Sequence, residues 1–174
     1  MSAPRDAREP LGAAELVGFA AWLAGSPVRW RALVVADEDA RAYSTIWSDE
    51  RVNAWAIRWS EDSDTGFHDH DESAAGIVVI EGSVIEERLV LAGPAVERRF
   101  SAGQSFNLAP SVIHRVRCGG GVPALTIHAY SPPLGRQGVY RTRPDGVLER
   151  DAIPYTEELR AATSAPRGTA PLPR

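Results

Sequence analysis

The chain has 174 residues, a formal net charge of −4 and a single cysteine, Cys118. That length suits one domain with a full hydrophobic core, the mildly acidic balance offers no basic stripe to a nucleic acid, and one cysteine excludes an intrachain disulfide. No apolar stretch approaches membrane-spanning length and no secretory segment is visible, so a cytoplasmic protein with neither a nucleic-acid nor a membrane partner is expected.

Residues 1–10 read as a disordered lead. Residues 11–24 follow a helical period, with Leu11, Leu16, Phe19, Ala20 and Leu23 as the apolar stripe and Gly25-Ser26-Pro27 as the stop. A second short helix is expected over residues 28–35. From Arg41 onward the period changes to two. Residues 42–47 and 52–59 read as strands, the second with Trp55, Ile57 and Trp59 on one face and Ala54, Ala56 and Arg58 on the other. After a loop at Glu61-Asp62-Ser63-Asp64, further strands are expected over residues 76–80, 84–91, 96–100, 105–108, 114–118, 125–130, 138–142 and 147–150. Glycine and proline punctuate them, which predicts an all-β sandwich or double-sheet jelly roll with short N-terminal helices, forming a single domain over residues 11–162. Residues 155–162 read as a last helix and residues 163–174 as a disordered tail rich in proline, alanine and arginine.

The four histidines fall in three places: His68-Asp69-His70, His114 and His128. Alternate residues of a strand share a face, so His68 and His70 can converge on one ion while Asp69 turns away from them, to support a histidine or to be solvated. His114 heads a later strand. Three imidazoles in such a cluster suit iron, zinc, nickel or copper.

The motifs around these histidines resemble the cupin superfamily and, within it, the thiol dioxygenases, of which cysteine dioxygenase is the best known. His68-Asp69-His70 and Gly82 keep the spacing of the first cupin motif, with Ala75 where that motif has a glutamate ligand. Gly103 and His114 keep the spacing of the second, although Ala109 and Ser111 replace its internal proline and glycine. His114-Arg115-Val116 and Thr126-Ile127-His128-Ala129-Tyr130-Ser131-Pro132-Pro133 are more specific, being near copies of family segments. The resemblance implies a double-stranded β-helix and Fe(II) held by His68, His70 and His114. It further implies oxidation of a small organic thiol to its sulfinic acid with both atoms of O2. Another metal-dependent cupin enzyme, such as an isomerase or a different dioxygenase, and a non-catalytic ligand-binding cupin stand as alternatives. The oligomeric state is open.

Thr126, His128 and Tyr130 share a strand face, and the resemblance implies a catalytic set in which His128 bonds the Tyr130 hydroxyl and Thr126 fixes the ring's tautomer. Many eukaryotic cysteine dioxygenases carry a cysteine, crosslinked to the tyrosine, at the position of Ala75, so that crosslink cannot form here. The family's carboxylate-binding arginine falls at Thr45, within Tyr43-Ser44-Thr45. Arg41, Arg58, Arg136 and Arg141 are the candidates to bind an anionic group of the substrate in its place. L-cysteine is therefore expected to be a poor substrate beside 3-mercaptopropionate, cysteamine, another mercapto acid or an aromatic thiol or thione.

Overall fold

The computed structural model describes residues 9–34 and 42–155. A single α-helix, α1 (Ala13–Ala24), precedes the strands β1 (Ala42–Ser48), β2 (Asn53–Trp59), β3 (His68–Asp69), β4 (Ala74–Glu81), β5 (Ser83–Arg88), β6 (Val96–Ser101), β7 (Ser105–Leu108), β8 (His114–Cys118), β9 (Ala124–Ser131), β10 (Arg136–Thr142) and β11 (Leu148–Pro154). They form two antiparallel sheets, one in the order β1-β2-β9-β4-β7 and the other in the order β11-β10-β3-β8-β5-β6. The chain crosses between sheets repeatedly, as the double-sheet jelly roll expected from the sequence requires.

The first sheet is apolar on both faces, each for its own reason. Its inner face carries Trp55, Ile57, Trp59, Ile77 and Tyr130 toward the second sheet, which contributes Val84, Val116 and Cys118 to the same core. Its outer face carries Ala54, Ala56, Val78, Ile127 and Ala129 and is covered by Leu16, Ala20 and Leu23 of α1. The helix begins where the backbone N–H of Gly12 donates to the Glu15 carboxylate at 2.8 Å. It lies so close to β4 that a Cβ on Gly76 would stand 2.3 Å from the Leu16 backbone, so only glycine permits this docking.

Three expectations are corrected. The second short helix is two 3-10 turns, Pro27–Arg29 and Arg31–Leu33, interrupted at Trp30. Trp30 is buried and its indole N–H donates to the Leu23 carbonyl at 2.9 Å, and anchoring that ring against α1 outweighs continuing the helix. The strand expected over residues 84–91 stops at Arg88, because Leu89 bonds Ile113 and the chain turns through Ala92 at φ 57°. The histidine pair, which lies outside every strand range expected, has its own two-residue strand in the second sheet, while β4 belongs to the first. The turn between them is closed by the Ser73 N–H donating to the His70 carbonyl.

Glu9 and Pro10, the end of the expected disordered lead, are placed, with Arg51 donating to the Glu9 carbonyl at 2.8 Å. Tyr155, which opens the expected last helix, stacks on Trp55 at 5.0 Å between ring centroids. The remainder of that helix, the tail and Arg41 lie outside the described residues.

Candidate metal centre

β3 lies between β10 and β8, and its register sets His68 directly opposite His114 on β8. His70 follows at the end of β3 with its ring on the same side, so imidazoles from two adjoining chain segments meet in the interior. All three are buried, none more than 4% exposed, and one ligand nitrogen from each lies within 4.8 Å of the others. The His70 and His114 Nε2 atoms are 3.4 Å apart. Two nitrogens each about 2.1 Å from a shared ion stand roughly 3.0–3.4 Å apart at octahedral to tetrahedral angles, so this pair fits a metal without rearrangement.

The ring chemistry agrees with the geometry. Burial, and then the neighbouring His68, hold His70 and His114 well below the usual imidazole range, so both stay neutral at neutral pH, the form that binds metal. His68 Nδ1 lies 3.1 Å from the Gly66 carbonyl; donating there places its lone pair on Nε2. Among the described residues, no carboxylate joins the cluster. Ala75, at the position of a glutamate in the cupin motif, is fully buried and faces Tyr130 across the β4–β9 register.

Two ion pairs hold β3 in place. On one side the Asp64 carboxylate receives Arg115 Nε at 2.8 and 2.9 Å and caps the Gly66 N–H, tying the incoming loop to β8. On the other, Asp69 turns away from the histidines, as strand alternation predicts, but it is buried rather than solvated. It receives Arg150 at 2.7 and 2.8 Å, the Tyr140 hydroxyl at 2.5 Å, and the backbone N–H groups of Asp71 and Gly138. A Cβ on Gly138 would stand 2.6 Å from the Asp69 carboxylate, so the bare backbone is what lets this network close over β10.

Beside the cluster, β9 carries Thr126, His128 and Tyr130 inward in one chain of hydrogen bonds. Trp59 Nε1 donates to Thr126 Oγ1 at 2.8 Å, Thr126 Oγ1 is 2.9 Å from His128 Nε2, and His128 Nδ1 is 3.1 Å from the Tyr130 hydroxyl. When Thr126 donates to Nε2, the His128 Nδ1–H donates to the Tyr130 oxygen and the tyrosine proton is directed away from His128. The Tyr130 ring stands edge-on to His70 at 4.9 Å, which brings the phenol to the cluster. His128 is not a fourth member; its two nitrogens serve Thr126 and Tyr130.

A small cavity lies against these groups and is walled by Trp55, Ile57, Trp59, Thr65, Val116 and Gln137. The five substrate candidates fall differently. Thr45 is exposed on β1 and pairs with Trp55, hence on the cavity-facing side of its sheet. Arg58 is corrected: it alternates with Trp55, Ile57 and Trp59 and so projects from the opposite face of β2. Arg136 lines a separate hollow shared with His70, Asp71 and Glu72. Arg141 is exposed and lies 3.7 Å from Asp151, away from the cavity. Arg41 lies outside the described residues.

Sequence reasoning missed Gln137, Thr65 and Glu86. Gln137 is 3% exposed with its Oε1 unbonded at the cavity wall. Glu86, on β5, is fully buried with Oε1 3.7 Å from His114 Nδ1. An inward glutamate was readable, since Val84, Glu86 and Arg88 alternate with Ile85 and Glu87 along one strand.

A double-stranded β-helix enclosing a buried three-histidine cluster defines a cupin metal centre. The chain belongs to the cysteine dioxygenase type I family, whose model matches residues 8–143. Among curated proteins, none matches its sequence. Of solved structures, the TT1209 protein of Thermus thermophilus is similar at a TM-score of 0.52 and 18% identity, covering 59% of this chain and 93% of that one. An uncharacterized conserved protein with a double-stranded beta-helix domain from Klebsiella pneumoniae is similar at 0.51 and 12% identity, covering 69% and 91%. At those identities the likeness concerns the fold alone. Family and site together support a cupin metal enzyme, in a family named for a dioxygenase. Among the described residues, no helix is long and apolar enough to cross a membrane.

Proposed function

We propose that this protein is a non-haem Fe(II) thiol dioxygenase, converting a small organic thiol and O2 to the sulfinic acid, RSH + O2 → RSO2H. The observation that carries the reading is a buried set of three imidazoles, with no carboxylate among them, beside the Thr126–His128–Tyr130 chain. His68, His70 and His114 would hold the iron. Bound there, Fe(II) supplies a full double charge and open positions for a thiolate and for O2. Neutral ligands leave that charge undiminished, so an anionic sulfur is attracted in a way a glutamate ligand would oppose. The residues of the chain do the rest. Trp55, Ile57 and Trp59 give the cavity an apolar wall, and Tyr130 would place a phenol where negative charge develops on sulfur or oxygen.

The test is O2 uptake by iron-loaded protein across cysteine, 3-mercaptopropionate, cysteamine, other mercapto acids and aromatic thiols or thiones, with the product identified by mass. Sulfinic acid at one product per O2 is expected from at least one thiol. His114→Ala should lose most bound iron and nearly all uptake. Uptake with none of the thiols, or full iron binding by His114→Ala, would reject the reading.

A further inference from the structure

Beside His114, two buried polar atoms on neighbouring side chains are without hydrogen-bond partners. His114 Nδ1 has no hydrogen bond, and neither has Glu86 Oε2. Both residues are at most 1% exposed. The nearer carboxylate oxygen, Oε1, is 3.7 Å from His114 Nδ1, just beyond bonding length, and already accepts from Arg88 Nε. Buried polar groups are rarely left unbonded, and here a buried carboxylate stands beside a bare imidazole nitrogen. The strand register makes the meeting a designed one. β5 pairs with β8 so that Arg88 lies opposite His114 and Glu86 opposite Val116, all on the inward face. Arg88 in turn is anchored by donating Nη2 to the Asn107 carbonyl at 3.0 Å.

We propose that Glu86 is the positioning residue of the metal centre, accepting the His114 Nδ1–H and so fixing this ligand's tautomer and ring orientation. The inference rests on the three-histidine reading above and adds an outer partner to it. With the proton held on Nδ1, the Nε2 lone pair points to the cluster, and the adjacent carboxylate makes that nitrogen a stronger donor. Arg88 fixes the carboxylate, so the line Arg88–Glu86–His114 runs from the protein's surface to the ligand nitrogen. A cluster with no anionic ligand thereby keeps a negative charge one residue back, where it does not compete with the substrate for a coordination position.

The experiment measures Co(II) affinity by chelator competition, with thermal melts of the metal-free proteins, for wild type, Glu86→Gln and His114→Ala. Glu86→Gln keeps the side chain's shape, and the expected result is affinity weaker by roughly ten- to a hundredfold with a metal-free melt close to wild type. Affinity within about twofold of wild type, well short of that range, would overturn the proposal while leaving the histidine cluster standing. Retained Co(II) in His114→Ala would overturn the cluster and this proposal with it. A measurement on wild type alone guards against a variant that does not fold. In the Zn(II)-loaded, 15N-labelled protein, the His114 Nδ1–H should resonate well downfield of an ordinary imidazole N–H. A proton at the ordinary position overturns the assignment.

Discussion

Tyr130 owes its place to contacts on three sides: His128 on its hydroxyl, Trp55 at 5.0 Å between ring centroids, and His70 edge-on. Ala75 sits directly opposite on β4, so the side that a crosslinking cysteine occupies in other members holds a methyl group. The phenol is thus positioned by packing and one imidazole, without a covalent tether. Removing its hydroxyl should leave the metal ligands untouched while deleting a donor aimed at developing charge. Tyr130→Phe is expected to bind iron as wild type does and to lose turnover by on the order of a hundredfold, the usual cost of such a donor. Parallel iron analysis and O2-uptake kinetics over a range of pH check this, and an unchanged kcat would assign Tyr130 to packing alone.

At the scale of elements, the weak member is β3, only two residues long yet carrying His68 and leading to His70. So short a strand cannot hold its own register, and the Asp64–Arg115 and Asp69–Arg150 pairs do it instead. Burial raises the Asp69 carboxyl, but hydrogen bonds from Arg150 and Tyr140 outweigh it and hold the group well below the usual carboxylate range. In the unfolded chain an aspartate titrates near pH 4, roughly, so the stabilisation is complete above that range and is lost as pH falls from there through the folded value. Asp69→Asn should cost roughly 1.5–3 kcal/mol at neutral pH, the range of a charged hydrogen bond, since Arg150 is 35% exposed and can rehydrate. The gap between the urea midpoints of the two proteins should begin to close below about pH 4 and keep narrowing as pH falls toward the folded value. A constant gap would show that Asp69 acts by shape rather than charge. The same element marks where sequence reading stopped. The period of two placed the histidines on one side, but a two-residue strand has no pattern to read, and the ion pairs that set it join residues far apart in the chain. Glu86 was missed for a related reason: its partner His114 meets it only through the β5–β8 register.

For the whole molecule, the cadence of short strands and turn residues made the double-sheet fold legible, and the motif spacing made the three histidines legible. The sheet neighbours were not, because β9 pairs with both β2 and β4 across long stretches of chain. Those pairings decide what the cavity offers a substrate. The first sheet supplies an aromatic and aliphatic wall with His128 and Tyr130, and the second supplies the cluster of three imidazoles. The remaining polar lining among the described residues, Thr65 and Gln137, is uncharged. Thr45, opposite Trp55 on the cavity-facing side, carries only a hydroxyl where the family resemblance implied a carboxylate-binding guanidinium. A carboxylate entering a partly dry cavity needs a cation or several donors, and a hydroxyl replaces neither the charge nor the two-pronged geometry. Losing such a contact costs about 2–5 kcal/mol, or a factor of tens to thousands in selectivity. L-cysteine should therefore have a kcat/KM at least tenfold, in order of magnitude, below that of the best thiol. Thr45→Arg sets a guanidinium on that side of β1 and should raise the L-cysteine to cysteamine ratio by about tenfold or more. Steady-state O2 uptake with both thiols measures it. A ratio unmoved by Thr45→Arg, or L-cysteine as the best substrate of the wild type, would mean that the carboxylate binds elsewhere than β1.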